Sequence, residues 1–196
     1  MYENQRQDNR NGLRNGVGYV VFAARSLAVS VEVFLHRPDS FGERYLGLQA
    51  GAAMLAIFFW PVLCERGHDP GPLLIFLLTY VAMCATVKSR LAIRRKRNLA
   101  QPHSRYTGTP RLMRFMGRMD EAKVKCMVEP LFTFVVGCVV LSVSPPLGGY
   151  LMCAALGLSI SNNLAERFER ERATDMNDAY LDQRRSVERF RDLRRD

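Results

Sequence analysis

Charged residues are missing from three long stretches of this chain. Asp, Glu, Lys and Arg do not occur in residues 45–64, 71–87 or 130–161. A soluble helical domain normally keeps a polar face on every element, so these stretches disfavour that class of protein. The chain is nevertheless only 48% hydrophobic, because its charge is concentrated between and after them. This segregation indicates an integral membrane protein.

Cysteine and histidine are too few and too scattered for most site chemistries. The five cysteines form no CxxC pair, and the three histidines are far apart in the sequence. We therefore expect neither a disulfide framework nor a metal site. Nucleophile-elbow, P-loop, GxGxxG, HExxH and EF-hand motifs are missing as well. The sequence predicts no catalytic residue, no bound cofactor and no enzymatic activity.

Four apolar segments predict membrane-spanning helices. They are residues 45–64, 71–87, 127–143 and 147–161. A helix of about 20 residues is about 30 Å long, which is the thickness of a bilayer core, and flanking Lys and Arg side chains can extend a shorter segment. Short turns containing Pro join the first segment to the second and the third to the fourth. Such turns indicate two antiparallel hairpins.

The expected fold is an all-α integral membrane protein with four spans in two transmembrane hairpins. An N-terminal amphipathic helix precedes the hairpins, and a charged cytoplasmic helix follows them. The expected segments are a polar arm and interfacial helix (1–44), hairpin 1 (45–87), a basic cytoplasmic loop (88–126), hairpin 2 (127–161) and a charged helical tail (162–196).

The basic residues predict the orientation in the membrane. Residues 88–126 hold 12 of the 28 Lys and Arg, and the tail 162–196 holds nine, whereas the two hairpin turns contain a single Arg. Because Lys and Arg accumulate on the cytoplasmic side, we expect a multi-pass protein of the cell membrane with both termini in the cytoplasm.

Residues 17–35 leave two placements open. The segment is apolar but contains Arg25 and Glu32, which share one helical stripe with Gly18 and His36. An interfacial helix would turn this stripe toward water. A spanning helix would bury an Arg25–Glu32 pair, at a considerable cost. We favour the interfacial helix and keep the spanning helix as the alternative.

The loop 88–126 is the main candidate for contact with lipids and partners. Basic clusters beside a membrane attract anionic headgroups, by about 1 kcal/mol per residue, although such a cluster can also serve only to set topology. Nucleic acid is an unlikely ligand, because interleaved aromatics and a nucleic-acid fold signature are missing. The expected contact residues are Lys88, Arg90, Arg94, Arg95, Lys96, Arg97, His103, Arg105 and Tyr106. After them, residues 111–119 predict a short helix on the inner leaflet.

Small residues recur every four positions in the first and last predicted spans. Such stripes let helices approach closely in lipid, so we expect tight packing within the chain or between copies. The positions are Gly47 and Gly51, then Gly149, Cys153, Gly157 and Ser161. Separately, Glu129 lies close to the third predicted span, and Lys125 precedes it by four residues. We expect an ion pair between them at the membrane boundary rather than a proton relay.

The tail combines dense alternating charge with a thin apolar seam. Its expected seam residues are Leu164, Phe168, Tyr180 and Phe190. A thin seam on a solvated helix packs against a second copy, the basic loop or another protein.

Taken together, these features predict a non-enzymatic membrane scaffold, or an assembly subunit of a larger membrane complex. It would present a basic cytoplasmic platform to anionic lipids and to protein partners, as a homo-oligomer or a hetero-complex. The alternative is an oligomeric pore-forming or channel-like protein. A pore requires a polar lining, for which the spans offer mainly Gln49, Thr79 and Tyr80.

Overall fold

The computed structural model of the chain describes residues 2–42, 45–64, 69–97, 106–117 and 119–193, with side chains between residues 16 and 191. Within these ranges the chain is helical and contains no β-strand, so the predicted all-α class is confirmed. The helices are α1 (Tyr2–Leu35), α2 (Leu48–Leu63), α3 (Gly71–Lys96), α4 (Glu121–Lys123), α5 (Glu129–Leu141) and α6 (Pro145–Leu193). A π-helical turn, Val124–Val128, joins α4 to α5.

Three helical stretches are long and apolar enough to cross a membrane. They are Gly16–Leu35, Gly71–Lys96 and Glu121–Leu141, while α2 is a shorter apolar helix of 16 residues. The predicted spans 71–87 and 127–143 correspond to the second and third of these stretches. The predicted spans 45–64 and 147–161 correspond to α2 and to the first part of α6.

Proline and an aspartate set the start of α3. Pro72 lies in its first turn, where the missing N–H would have no partner within the helix. The Asp69 carboxylate accepts a hydrogen bond from the backbone N–H of Gly71 at 2.9 Å. It thereby satisfies one of the free donors at the start of α3.

The helix α3 ends at Lys96, nine residues beyond the predicted end of the span at Val87. The first part of the predicted basic loop is therefore helical. Lys and Arg are good helix formers, and neither Pro nor Gly interrupts residues 88–96. Basic side chains in the last turn also complement the negative end of the helix dipole. The predicted helix at 111–119 was longer than the observed one, which is a single 3₁₀ turn, Arg111–Arg114.

Aromatic side chains connect four helices in the core. Tyr150 of α6 is fully buried, and its ring lies 5.2 Å from Trp60 of α2 and 5.8 Å from Phe76 of α3, measured between ring centroids. Phe76 in turn lies 5.3 Å from Phe34 of α1. The Tyr150 hydroxyl donates to Ser30 Oγ at 2.8 Å, which gives its polar end a partner inside the core.

The helices α5 and α6 form a tight antiparallel hairpin around two glycines. A Cβ added to Gly148 would lie 2.4 Å from Leu141 Cα, and one added to Gly137 would lie 3.1 Å from the backbone nitrogen of Met152. Only glycine permits this backbone separation, as expected for small residues between apolar helices.

The helix α1 packs against both arms of this hairpin. A Cβ added to Gly157 of α6 would lie 2.8 Å from the carbonyl oxygen of Ala24. Ser30 of α1 accepts a hydrogen bond from the hydroxyl of Tyr150. At the end of α1, His36 hydrogen-bonds Glu129 of α5.

Two expectations for the N-terminal region were wrong. Residues 2–15 belong to α1 and do not form a polar arm separate from the helix. The polar stripe of this helix does not face water, since Glu32 and His36 are both 0% exposed. Other elements of the chain cover Glu32 and His36 and supply a polar partner for each of them.

The chain divides into two compact units, Met1–Ser161 and Asn162–Asp196. The described part of the second unit is the C-terminal portion of α6. It carries ion pairs one helical turn apart, including Arg184–Glu188 at 3.2 Å. It also exposes large apolar side chains, with Phe168 54%, Tyr180 62% and Phe190 74% accessible.

Candidate functional site

Six polar side chains are brought together where α1 meets the ends of the other helices. We call them the polar cluster, and they are Arg25, Glu32, His36, Tyr45, Glu129 and Ser161. Four different parts of the first unit contribute to it. Buried polar groups destabilise a fold unless they are hydrogen-bonded, and each member of the cluster has a partner.

Glu32 organises the first half of the polar cluster. Its Oε1 lies 3.4 Å from Arg25 Nη1, and its Oε2 accepts a hydrogen bond from the hydroxyl of Tyr45. Arg25 also donates to Ser161 Oγ at 2.8 Å, and its guanidinium lies 5.5 Å from the centre of the Tyr45 ring. These contacts connect α1, the segment before α2, and the last apolar turn of α6.

His36 and Glu129 form the second half. His36 Nδ1 lies 2.7 Å from the carbonyl oxygen of Thr107, and Nε2 lies 2.9 Å from Glu129 Oε1. A carbonyl oxygen only accepts, so Nδ1 carries a hydrogen and donates it. One further proton then lies between Nε2 and the Glu129 carboxyl. Whichever of the two holds it, the hydrogen-bonded pair has no net charge, and this makes its complete burial tolerable.

The expected pairing of Glu129 with Lys125 was wrong. Lys125 instead donates to Glu121 Oε1 at 2.6 Å, and its Nζ lies 4.7 Å from the centre of the Tyr106 ring. The separation of four residues made the first pairing plausible from sequence. The true partner of Glu129, His36, lies 93 residues away, and no local pattern pointed to it.

The segment 106–110 is attached to the residues that follow α1. The backbone N–H of Gly42 donates to the carbonyl of Tyr106 at 2.9 Å, and that of Thr109 donates to Ser40 Oγ at 2.8 Å. Gly108 has φ +94°, and a Cβ there would lie 2.9 Å from Ser40 Oγ. Both the conformation and the space therefore require glycine at this position.

Tyr106, an expected partner contact, is engaged inside the chain. Its hydroxyl donates to Glu121 Oε1 at 2.6 Å. Burial raises the pKa of Tyr106, and the hydrogen bond to Glu121 raises it further, so the phenol remains a neutral donor. The other two expected contacts of this segment, His103 and Arg105, lie outside the described residues.

The basic cluster lies on the last turns of α3 and immediately after them. Arg90 Nη1 contacts both carboxylate oxygens of Asp39, at 2.7 and 2.6 Å, and Arg94 donates to the carbonyl of Asp39. These contacts hold the end of α3 against the segment that follows α1. The exposed members of the cluster are Lys88, Arg90, Arg95, Lys96 and Arg97. This end of the first unit is strongly positive, and we call it the basic end.

The small-residue positions fall into two groups. Gly157 and Ser161 contact α1, through Ala24 and Arg25 respectively. Around Gly149 an added Cβ would meet nothing within 4 Å. The same holds for Gly51. Gly47 precedes α2 and is exposed, and Cys153 is half-buried. The end of the stripe nearer the tail therefore packs within the chain, and its other end is open.

Two of the polar residues considered for a pore lining are hydrogen-bonded within the chain. Tyr80 is only 1% exposed, and its hydroxyl donates to the carbonyl of Ala50 at 3.1 Å. The Thr79 hydroxyl donates to the carbonyl of Phe76, within its own helix, at 2.8 Å.

The five cysteines all lie in the described ranges and are free thiols. Among the residues whose positions the structure gives, no three His, Cys, Asp or Glu side chains are grouped as a metal site. Of the expected seam residues, Leu164 is partly buried, and Phe168, Tyr180 and Phe190 are exposed. No protein-family model, curated protein or solved structure matches this chain.

Proposed function

We propose that the chain is a non-enzymatic membrane scaffold, an assembly subunit that presents a basic cytoplasmic platform to lipids and partner proteins. The observation that carries this proposal is the exposure of the tail. Phe168, Tyr180 and Phe190 are each more than half accessible on a helix that is otherwise densely charged. Large apolar side chains in such a setting are typical of interaction surfaces.

The polar cluster gives the platform its stiffness. Its hydrogen bonds, one of them fully buried, fix α1, the segment 106–110, α5 and α6 to one another. A fully satisfied polar network of this kind specifies one arrangement of the helices. The basic side chains on α3 are then held in a fixed array, which suits anionic headgroups in the cytoplasmic leaflet.

The topology that best fits this role has four crossings, at 45–64, 71–87, 127–143 and 147–161, with α1 at the cytoplasmic interface. The distribution of basic residues supports the interfacial placement, since a crossing by α1 would move Arg6, Arg10 and Arg14 to the other side of the membrane. Both termini would lie in the cytoplasm, as the distribution of Lys and Arg indicates.

Mild extraction into nanodiscs from the native membrane, followed by native mass spectrometry, tests the scaffold. We expect a stable homo-oligomer or hetero-complex. Changing Phe168, Tyr180 and Phe190 together to Ser should release the partners and leave membrane insertion intact. A matched control changes three exposed polar residues of the same helix, Asp175, Asp182 and Arg189, to Ser, and should keep the complex.

Two results would overturn the scaffold. One is a wild-type chain that is monomeric and carries no partner at native expression. The other is a complex that survives the triple Ser change unaltered. Reproducible single-channel current from the purified chain in liposomes would instead favour the oligomeric pore.

A further inference from the structure

The tail helix carries a heptad pattern between residues 170 and 193. Apolar or small side chains, interrupted by one glutamine, recur at alternating spacings of three and four residues, which places them on one narrow stripe. The stripe consists of Ala173, Met176, Tyr180, Gln183, Val187 and Phe190. Met176 is 69% and Phe190 74% exposed, so nothing within the tail covers it. A stripe this narrow fits the groove of one facing helix.

Charge is segregated around this stripe. In coiled-coil notation, with Ala173 at a and Met176 at d, the flanking positions are e and g. Every charged residue at these positions is arginine: Arg170, Arg172, Arg184 and Arg191. The acids of the same segment lie at b, c and f, on the far side of the helix: Glu171, Asp175, Asp178, Asp182, Glu188 and Asp192. The tail is electrically balanced as a whole, but the edges of its apolar stripe are positive.

A second copy of this tail is a poor partner for the stripe. In a parallel pair, each g residue faces the following e residue of the other helix, which gives Arg172 opposite Asn177, and Ser186 opposite Arg191. In an antiparallel pair, e positions face e positions, and arginines such as Arg184 and Arg191 approach one another. Neither arrangement forms an attractive flanking pair, although such pairs select coiled-coil partners.

A bilayer surface also fits less well than a helix. Interfacial helices bury a broad apolar face in the headgroup region. Here the stripe is one or two residues wide, and Gln183 occupies a d position at its centre. A single polar residue at such a position is typical of coiled coils, where it fixes the register of two helices.

We infer that residues 170–193 bind an amphipathic helix of another protein, with an apolar seam and acidic residues flanking it. This deepens the proposed scaffold and rests on it, because it names the chemistry of the partner that the tail would hold. The arginines would contribute mainly to specificity and association rate, and the seam to affinity.

The test uses the full chain in phosphatidylcholine nanodiscs and two synthetic helical peptides. The peptides share Ile and Leu at a and d, and they differ only in carrying Glu or Lys at every e and g position. We expect the Glu peptide to bind at least about tenfold more tightly than the Lys peptide, which corresponds to about 1.4 kcal/mol. The preference should weaken with added salt.

Charge reversal at the flanks sharpens the test. The variant R172E/R184E/R191E should prefer the Lys peptide. The control R167E/R185E/R189E has the same change in net charge at b, f and c positions, and should keep the wild-type preference. Circular dichroism checks that both variants retain the tail helix. Equal binding of the two peptides, or the same reversal in the control, would overturn the inference.

The lipid alternative and the scaffold itself are distinguished by separate measurements. Hydrogen exchange of residues 176–190 is compared with and without phosphatidylserine in the nanodisc. If the lipid alone protects these amides as well as the Glu peptide does, the stripe binds the bilayer and the inference fails. If the peptide preference holds but native complexes survive the triple Ser change, the scaffold fails while this binding specificity stands.

Discussion

His36 and Glu129 are 93 residues apart in the sequence, yet their side chains meet in the interior with Nε2 2.9 Å from Oε1. Both side chains are almost completely inaccessible to solvent. The contact joins the end of α1 to the start of α5, and through the carbonyl of Thr107 it also holds the segment after the basic cluster. One buried pair therefore determines how three separate parts of the chain are arranged.

Removing the carboxylate at this position should be costly. Glu129→Ala leaves His36 Nε2 buried without a partner, and an unsatisfied buried polar group costs about 1–3 kcal/mol. We expect the thermal midpoint of the first unit in nanodiscs to fall by several degrees. Asp39→Ala is the matched control, since it removes a half-exposed pair with Arg90 that should contribute about 0–1 kcal/mol. An equal fall of the thermal midpoint in the two variants would show that the buried His36–Glu129 pair stabilises the fold no more than the exposed pair does.

Gly149 and Gly157 of α6 should respond oppositely to alanine. A Cβ at Gly157 would lie 2.8 Å from the Ala24 carbonyl, so Gly157→Ala forces α1 away and should destabilise the fold. At Gly149 a Cβ meets nothing within 4 Å, so Gly149→Ala should be neutral or stabilise by about 0.5–1 kcal/mol through helix propensity. Unfolding of both variants in the same detergent measures the difference. A Gly149→Ala chain as unstable as Gly157→Ala would contradict this packing.

Cysteine labelling should determine the placement of α1. In a cysteine-free background, Asn11→Cys and Asp192→Cys mark the two ends of the chain. With α1 at the interface and four crossings, both positions face the cytoplasm. An impermeant maleimide added outside intact cells should then label neither position, and it should label both once the membrane is permeabilised. Labelling of position 11 alone from outside would mean that α1 crosses the membrane. Labelling of position 192 from outside would contradict the proposed orientation.

Tyr106 should act as a local support for the segment 106–110. Tyr106→Phe removes the hydrogen bond to Glu121 but keeps the ring beneath Lys125, so a loss of about 1 kcal/mol is expected. Tyr106→Ala removes both contacts and should cost more. Hydrogen exchange at Gly42, whose N–H donates to the Tyr106 carbonyl, reports on the attachment. Unchanged protection in the Ala variant would refute this supporting role.

The helices were predictable from sequence wherever a local pattern determined them. The uncharged segment 71–87 identified α3, although the helix continues to Lys96 because charge ends an apolar stretch without ending a helix. The tail helix followed from its charge pattern in the same way. Local patterns also named Arg25 and Glu32 as a possible pair, and the structure places them 3.4 Å apart.

The rest of the candidate site depends on tertiary contacts that no local pattern contains. The stripe on α1 was expected to face water because Glu32 and His36 are polar. Their partners, Tyr45 and Glu129, come from other elements of the chain. The hydrogen bonds to these partners offset the cost of removing Glu32 and His36 from water. Whether a polar stripe faces solvent or the interior depends on such partners, and a single sequence does not list them.

The π turn Val124–Val128 holds one residue more than an α-helical turn, so the helix after it lags by roughly 100°. In an uninterrupted α-helix Glu129 would lie about 80° around the axis from Glu121, and the lag brings it to within about 20° of that direction. The two carboxyl groups therefore lie near one side of the helix, where Glu121 accepts a hydrogen bond from Tyr106 and Glu129 contacts His36. Deleting one residue from the turn should restore a regular α-helix without turning Glu129 away from His36.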